Sequence, residues 1–156
     1  MPLNLYDTLT RETREVFAMD GKSVRFYGCG PTVYGPAHIG NFRTFVMQDV
    51  FRRVLETSGQ ETYHARNITD VDDKTIKQSQ AEGVPLQEFT DRWSGFFNQD
   101  CESLNLLTPH VQPSAVGHIP EQIALIGKLI DKGKAYQASD GSVYFNVGSF
   151  EGYGCL

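Results

Sequence analysis

The sequence predicts an α/β protein built on a parallel sheet, and three observations carry that prediction. Ser23-Val24-Arg25-Phe26-Tyr27 alternates in polarity as a half-buried strand does. From Phe42 the apolar residues Phe45, Val46, Val50, Val54 and Leu55 recur at three- and four-residue steps, the period of a helix. Thr62 to Ile68 is then rich in β-branched and aromatic residues, as a second strand would be. Strand, helix and strand over about 45 residues make a βαβ unit, whose crossover is almost always right-handed.

The elements follow in order. Gly28, Gly30 and Pro31 end the first strand, and Ser58-Gly59 stops the crossover helix. Asp72 to Glu82 and Pro85 to Leu104 read as helices. The second carries Phe89, Trp93, Phe96 and Phe97 on one side, a stripe that reads as core rather than as a platform for stacking bases. TPHVQPSAVGHIP, with its three prolines, reads as a connector. Pro120 suits the first position of a helix that runs through Ile123, Ile126, Leu129 and Ile130 to Gly133. Ala135-Tyr136 and Val143-Tyr144-Phe145 flank Ser139-Asp140-Gly141, a hairpin signal. There is no repeat and no low-complexity tract, and FEGYGCL carries no stop signal, so the end reads as cut rather than finished.

Composition limits the function. At 156 residues, 40% hydrophobic and 21% charged, the chain suits one compact domain with a sizeable core. A formal net charge of −5 argues against a broad basic nucleic-acid surface while leaving room for a local basic groove. An acidic small substrate would need a focused set of donors. No apolar run approaches the roughly 20 residues that span a bilayer. The N-terminus lacks the profile of a signal peptide, so a cytoplasmic protein is expected. Cys29, Cys101 and Cys155 are odd in number and widely spaced, which suits a reducing compartment.

Arg25 to Asn41, RFYGCGPTVYGPAHIGN, is the stretch that carries chemistry. It breaks the G-x-G-x-x-G dinucleotide pattern at the third glycine, and no GxxxxGK[ST] loop occurs. His38-Ile39-Gly40-Asn41 sits instead where the crossover helix begins, and unpaired backbone N–H groups with the helix dipole make an anion site there. His38 and Asn41 would place two side-chain donors over one phosphate, and Gly40 would let the backbone come close. By itself this pattern is also what an ordinary helix N-terminus with a surface histidine looks like. Asn67-Ile68-Thr69-Asp70-Val71-Asp72-Asp73-Lys74 adds polar side chains at the carboxyl end of the second strand, where open α/β sheets bind ligands. A helix cap explains Asp70 and Asp72 but not Thr69 or Lys74. Cys29 ends the first strand at the same edge.

With YGCGPTVY, HIGN and NITDVDDK in this order, the chain resembles the cysteinyl-tRNA synthetases, a class I aminoacyl-tRNA synthetase family. The resemblance runs from LYDTLTR to the KGKAY and GSVYF strands of the last hairpin. It implies a Rossmann-like, HUP-type nucleotide-binding half-domain over residues 1–110 and the truncated beginning of a connective insertion over 111–156. It implies that Cys29 is one of four ligands of a Zn²⁺ ion that takes the substrate cysteine as thiolate, which sulfur favours over a serine hydroxyl. By the same resemblance Cys29, Gly30 and Thr69 line the amino-acid pocket, and Thr32, His38, Gly40 and Asn41 hold ATP with Mg²⁺. HIGN replaces the usual HIGH, so Asn41 keeps an N–H donor but no charge.

The implied reaction is attack of the cysteine carboxylate on the ATP α-phosphorus, then acyl transfer to tRNA(Cys), with His38 and Asn41 as catalytic donors. The family's other zinc ligands, its lysine-bearing ATP motif and its anticodon helices would lie beyond Leu156, so this stretch is expected to bind ATP weakly without turnover. Two alternatives remain: the related cysteine ligase of mycothiol synthesis, and a non-catalytic short paralogue that binds nucleotide or a partner. His64, His110, His118, Cys101 and Cys155 read as structural residues.

Overall fold

The computed structural model of the chain describes residues 2–155. Strands β1 (Asn4–Asp7) and β2 (Glu12–Glu15) pair with each other at the N-terminus. The βαβ unit follows as β3 (Ser23–Gly28), α1 (Ile39–Thr57) and β4 (Glu61–Arg66). β3 and β4 are parallel, in register from Ser23 opposite Glu61 to Gly28 opposite Arg66. α1 starts within the His38–Asn41 stretch expected to open it, three residues before the first residue of its apolar period, with His38 as its cap. Its buried residues Phe42, Phe45 and Leu55 keep the expected spacing, with Gln48 and Asp49 buried beside them.

α2 (Asp73–Glu82) is capped by Asp72, whose carboxylate accepts the N–H groups of Lys74 at 2.7 Å and Thr75 at 3.1 Å. α3 (Leu86–Ser103) turns Phe89, Phe97 and Cys101 inward. Phe96, expected in the same stripe, is half exposed because it lies one residue off the i, i+4 row of Phe89, Trp93 and Phe97. The core cluster joins Val33, Phe42, Phe45, Ile68, Phe97 and Cys101, with Trp93 packed on it. Phe45 and Phe97 meet edge to face at 4.9 Å.

The proline-rich connector holds a strand-like piece. Arg66 N–H donates to the Val111 carbonyl at 3.0 Å and Ile68 N–H to that of Pro113 at 2.8 Å. Ala65 and Ile68 bridge in parallel to Val111 and Ser114. Proline lacks an N–H but keeps its carbonyl, so Pro113 serves as an acceptor at a sheet edge.

The chain divides into two compact units rather than the one that its length and composition suggest. Met1–Leu5 and Arg14–Gly117 form the first, and Tyr6–Thr13 and His118–Leu156 the second. The second contains α4 (Ile119–Asp131) and the antiparallel pair β5 (Ala135–Gln137) and β6 (Val143–Phe145), with Tyr136 opposite Tyr144. Gly141 takes the left-handed φ of +87° in the turn. None of its described residues is fully buried.

Candidate functional site

The carboxyl ends of β3 and β4 are held together by one side chain. Asn67 Oδ1 accepts from the Tyr27 hydroxyl at 2.7 Å and from Gly30 N–H at 2.8 Å, while its Nδ2 donates to Thr69 Oγ1 at 2.9 Å. The backbones approach closely here. A Cβ on Gly30 would lie 1.5 Å from the Asn67 carbonyl oxygen, so only glycine fits. On the other side Gln48 Nε2 donates to the Cys29 carbonyl at 3.1 Å, in space that a Cβ on Gly28 would fill. Thr69 N–H donates to the Pro31 carbonyl at 2.9 Å, and Val33 N–H to that of Thr69 at 3.1 Å, extending the parallel pairing past the strands through Thr32 and Thr69.

Above this edge lies a cleft of about 370 Å³. Of the residues expected at the site, Cys29, Gly30, Thr32 and Asn41 line it. Thr69 sits behind Thr32, half-buried, and His38 and Gly40 are exposed at the start of α1 without lining the cleft. Asn41 thus joins the two ends of the expected site.

His38 and Asn41 form a reciprocal cap. Gly40 N–H donates to His38 Nδ1 at 3.1 Å, and His38 N–H donates to Asn41 Oδ1 at 3.0 Å. An accepting Nδ1 places the proton of the neutral imidazole on Nε2, and an accepting Oδ1 leaves the Asn41 NH₂ as donor. His38 therefore keeps its Nε2–H, and Asn41 both N–H groups of its amide, for an anion.

On the far wall of the cleft, the sequence singled out Lys74 without giving it a role and read Trp93 only as core. Lys74 lines this wall, with Nζ 5.1 Å from the centre of the Tyr34 ring, and so does Trp93, whose indole N–H is buried without a partner. Trp93 carried a helical-period signal, which reported packing but not its second role. The Tyr27 hydroxyl has its pKa raised, first by burial and then by the neighbouring Cys29 thiol.

The family model for the class I (C) tRNA synthetase catalytic domain matches residues 15–156. The chain belongs to this family. A curated cysteine–tRNA ligase of Opitutus terrae is 55% identical over 159 residues, covering 100% of this chain and 35% of its own length. Those of Protochlamydia amoebophila and Rhodospirillum centenum are 42% and 46% identical over the whole chain, which covers 33% and 34% of them. The chain spans about a third of the length of the curated relatives it matches. Among solved structures, a LeuRS–tRNA–LeuAMS ternary complex from Agrobacterium radiobacter K84 aligns over 84% of this chain and 18% of its own, with a TM-score of 0.65 at 17% identity. A Mycobacterium tuberculosis methionyl-tRNA synthetase with methionyl-adenylate aligns over 78% and 26%, with a TM-score of 0.61 at 16% identity. The fold is the Rossmann-like one of class I synthetases.

Zinc does not fit the described residues as they stand. A closed structural or thiolate-binding zinc site needs about four donors. Cys29 is exposed at the cleft, and no group of three or more His, Cys, Asp or Glu able to hold a metal occurs among the described residues. Other histidines and cysteines of the first unit are engaged elsewhere. His64 is in the core, stacked on Phe26 with ring centres 4.4 Å apart. His110 accepts from His64 N–H at 3.0 Å through Nδ1, and Cys101 is buried beside Arg66.

Proposed function

We propose that this chain carries the ATP- and amino-acid-binding part of a cysteine–tRNA ligase acting in the cytoplasm. The observation that supports the reading most is the 42 to 55% identity to curated cysteine–tRNA ligases across 100% of the chain. The site's chemistry agrees with it. The N-terminus of α1 offers backbone N–H groups, the Nε2–H of His38 and the Nδ2–H of Asn41, a donor set for phosphate oxygens. Cys29, Gly30 and Thr69, drawn together by Asn67, form the amino-acid end.

In the proposed reaction a carboxylate oxygen of cysteine attacks the ATP α-phosphorus and pyrophosphate leaves. The acyl group then passes to a terminal ribose hydroxyl of tRNA(Cys), releasing AMP. Mg²⁺ accompanies the ATP phosphates and offsets their charge. His38 and Asn41 hold the phosphates in line while charge develops on them, so the protein's contribution is position and electrostatics. Thr32, beside Asn41 in the cleft, belongs to the same nucleotide end. The zinc role that the resemblance gives Cys29 would need three donors from outside the described residues, and no step is routed through it. We read the first catalytic half, expected over residues 1–110, as running on to Gly117, since Val111 and Ser114 bridge to Ala65 and Ile68, with the insertion, expected over 111–156, beginning after it.

Titration of the chain with Mg²⁺-ATP tests the site. Saturable binding is expected, weakened about tenfold by His38→Asn, which keeps the helix cap through its side-chain oxygen but withdraws the imidazole Nε2–H. Equal affinity in the two proteins would overturn the assignment of His38.

A further inference from the structure

Fifteen residues line the cleft, and Lys74 is the single charged side chain among them. Its position runs against local preference. It is the second residue of α2, where the helix dipole disfavours a cation, and its own backbone N–H is taken by the Asp72 cap at 2.7 Å. Among the described residues its ammonium makes no ion pair and no hydrogen bond. What holds it is the face of Tyr34, 5.1 Å away, on the loop between β3 and α1 that forms the opposite rim. A cation kept at an unfavourable helix position, unpaired and leaning over an otherwise neutral cleft, is a local rule broken without a compensating ion pair.

We propose that Lys74 is a binding residue of the cleft, its ammonium taking an anionic oxygen of the ligand. The inference rests on the reading of the cleft as a site for ATP and an amino acid, and it adds the charge that Asn41 cannot carry. The neutral donors His38 and Asn41 orient a phosphate, whereas Lys74 would neutralise it. The same ammonium would equally suit the carboxylate of an amino acid lying against Cys29 and Gly30. Both are anionic oxygens of one substrate pair, and the ligand that responds to substitution identifies which.

The experiment measures binding of Mg²⁺-ATP, pyrophosphate and cysteine, each alone, to the chain and to Lys74→Met, Lys74→Arg and Tyr34→Leu at two salt concentrations. Lys74→Met is expected to weaken one ligand about tenfold, the effect of losing a charge-assisted hydrogen bond, with Lys74→Arg retaining most of the affinity. Wild-type affinity should fall with added salt more steeply than that of Lys74→Met. Tyr34→Leu should cost about threefold by removing the perch. Loss for ATP and pyrophosphate assigns Lys74 to phosphate, and loss for cysteine alone assigns it to the carboxylate. If Lys74→Met binds all three like the wild type while His38→Asn still weakens ATP, the Lys74 inference falls and the ATP site stands. If the wild-type chain binds none of them, both readings fall.

Discussion

His64 makes the fold acid-sensitive by an amount that can be worked out. It is 2% exposed, its ring lies nearly parallel to that of Phe26, and neither ring nitrogen has a partner. Burial, together with the cationic Arg66 and Arg52 nearby, lowers its pKa from 6.5 to about 4. The folded chain therefore binds this proton less readily than the unfolded chain. The resulting stability is constant above the unfolded value of 6.5, declines as the pH falls toward about 4, and levels off below it. The gap between 6.5 and about 4, at about 1.4 kcal/mol per pH unit, sets an upper bound between about 3 and 4 kcal/mol. At pH ~4.5 most of it should already be gone. Trp93, the one tryptophan of the sequence, packs on the same core and reports unfolding by fluorescence. Urea melts of the wild type and of His64→Phe at pH values between about 7.5 and 4.5 isolate the effect, because a steric offset from the larger ring does not depend on pH. The wild type should lose roughly 2 to 3 kcal/mol more than the variant across this range. Parallel stability curves would refute the reasoning, since they would mean that His64 charges in the fold at no cost.

Two further outcomes are expected. Gly30→Ala should destabilise the first unit by about 3 kcal/mol or more in urea melts, because its Cβ would overlap the Asn67 carbonyl oxygen, 1.5 Å away. Arg66 is 3% exposed and faces the Phe45 and Phe97 rings at 5.4 and 5.2 Å, with Nε unpartnered. Arg66→Met should therefore be neutral or stabilising in thermal unfolding, whereas a loss above about 2 kcal/mol would show that the two rings compensate the buried charge.

The βαβ unit was legible because its two periods, two for the strands and near 3.6 for α1, are written in adjacent residues. β1 and β2 were not, since NLYD and ETRE are largely exposed and carry no alternation. The edge piece at Val111–Ser114 was hidden by prolines that read as punctuation, although a carbonyl acceptor is all that Pro113 has to supply. Cys29 was read from its place at the end of the first strand, Asn41 from the start of the helix and Gly30 from the resemblance, and all three line the cleft. Lys74 stood out in NITDVDDK because a helix cap does not explain it, but its meeting with Tyr34 and Trp93 did not, because a loop and two helices far apart in sequence converge there and nothing local records that meeting. α1 opens at the HIGN stretch where its start was expected, with His38 as an uncommon cap, although its apolar period begins only at Phe42.

α1 reaches both ends of the proposed site. Asn41 stands at the phosphate end, while Gln48 grips the carbonyl of Cys29 at the amino-acid end. The two are seven residues apart, about 10 Å along the axis at about 1.5 Å per residue. Because both contacts belong to one helix, their spacing is set by its geometry and not by the loops on either side. α1 thus works as a gauge block. A one-residue insertion between Asn41 and Gln48 would turn the two contacts about 100° out of phase and dismantle the site without disturbing either end's own chemistry.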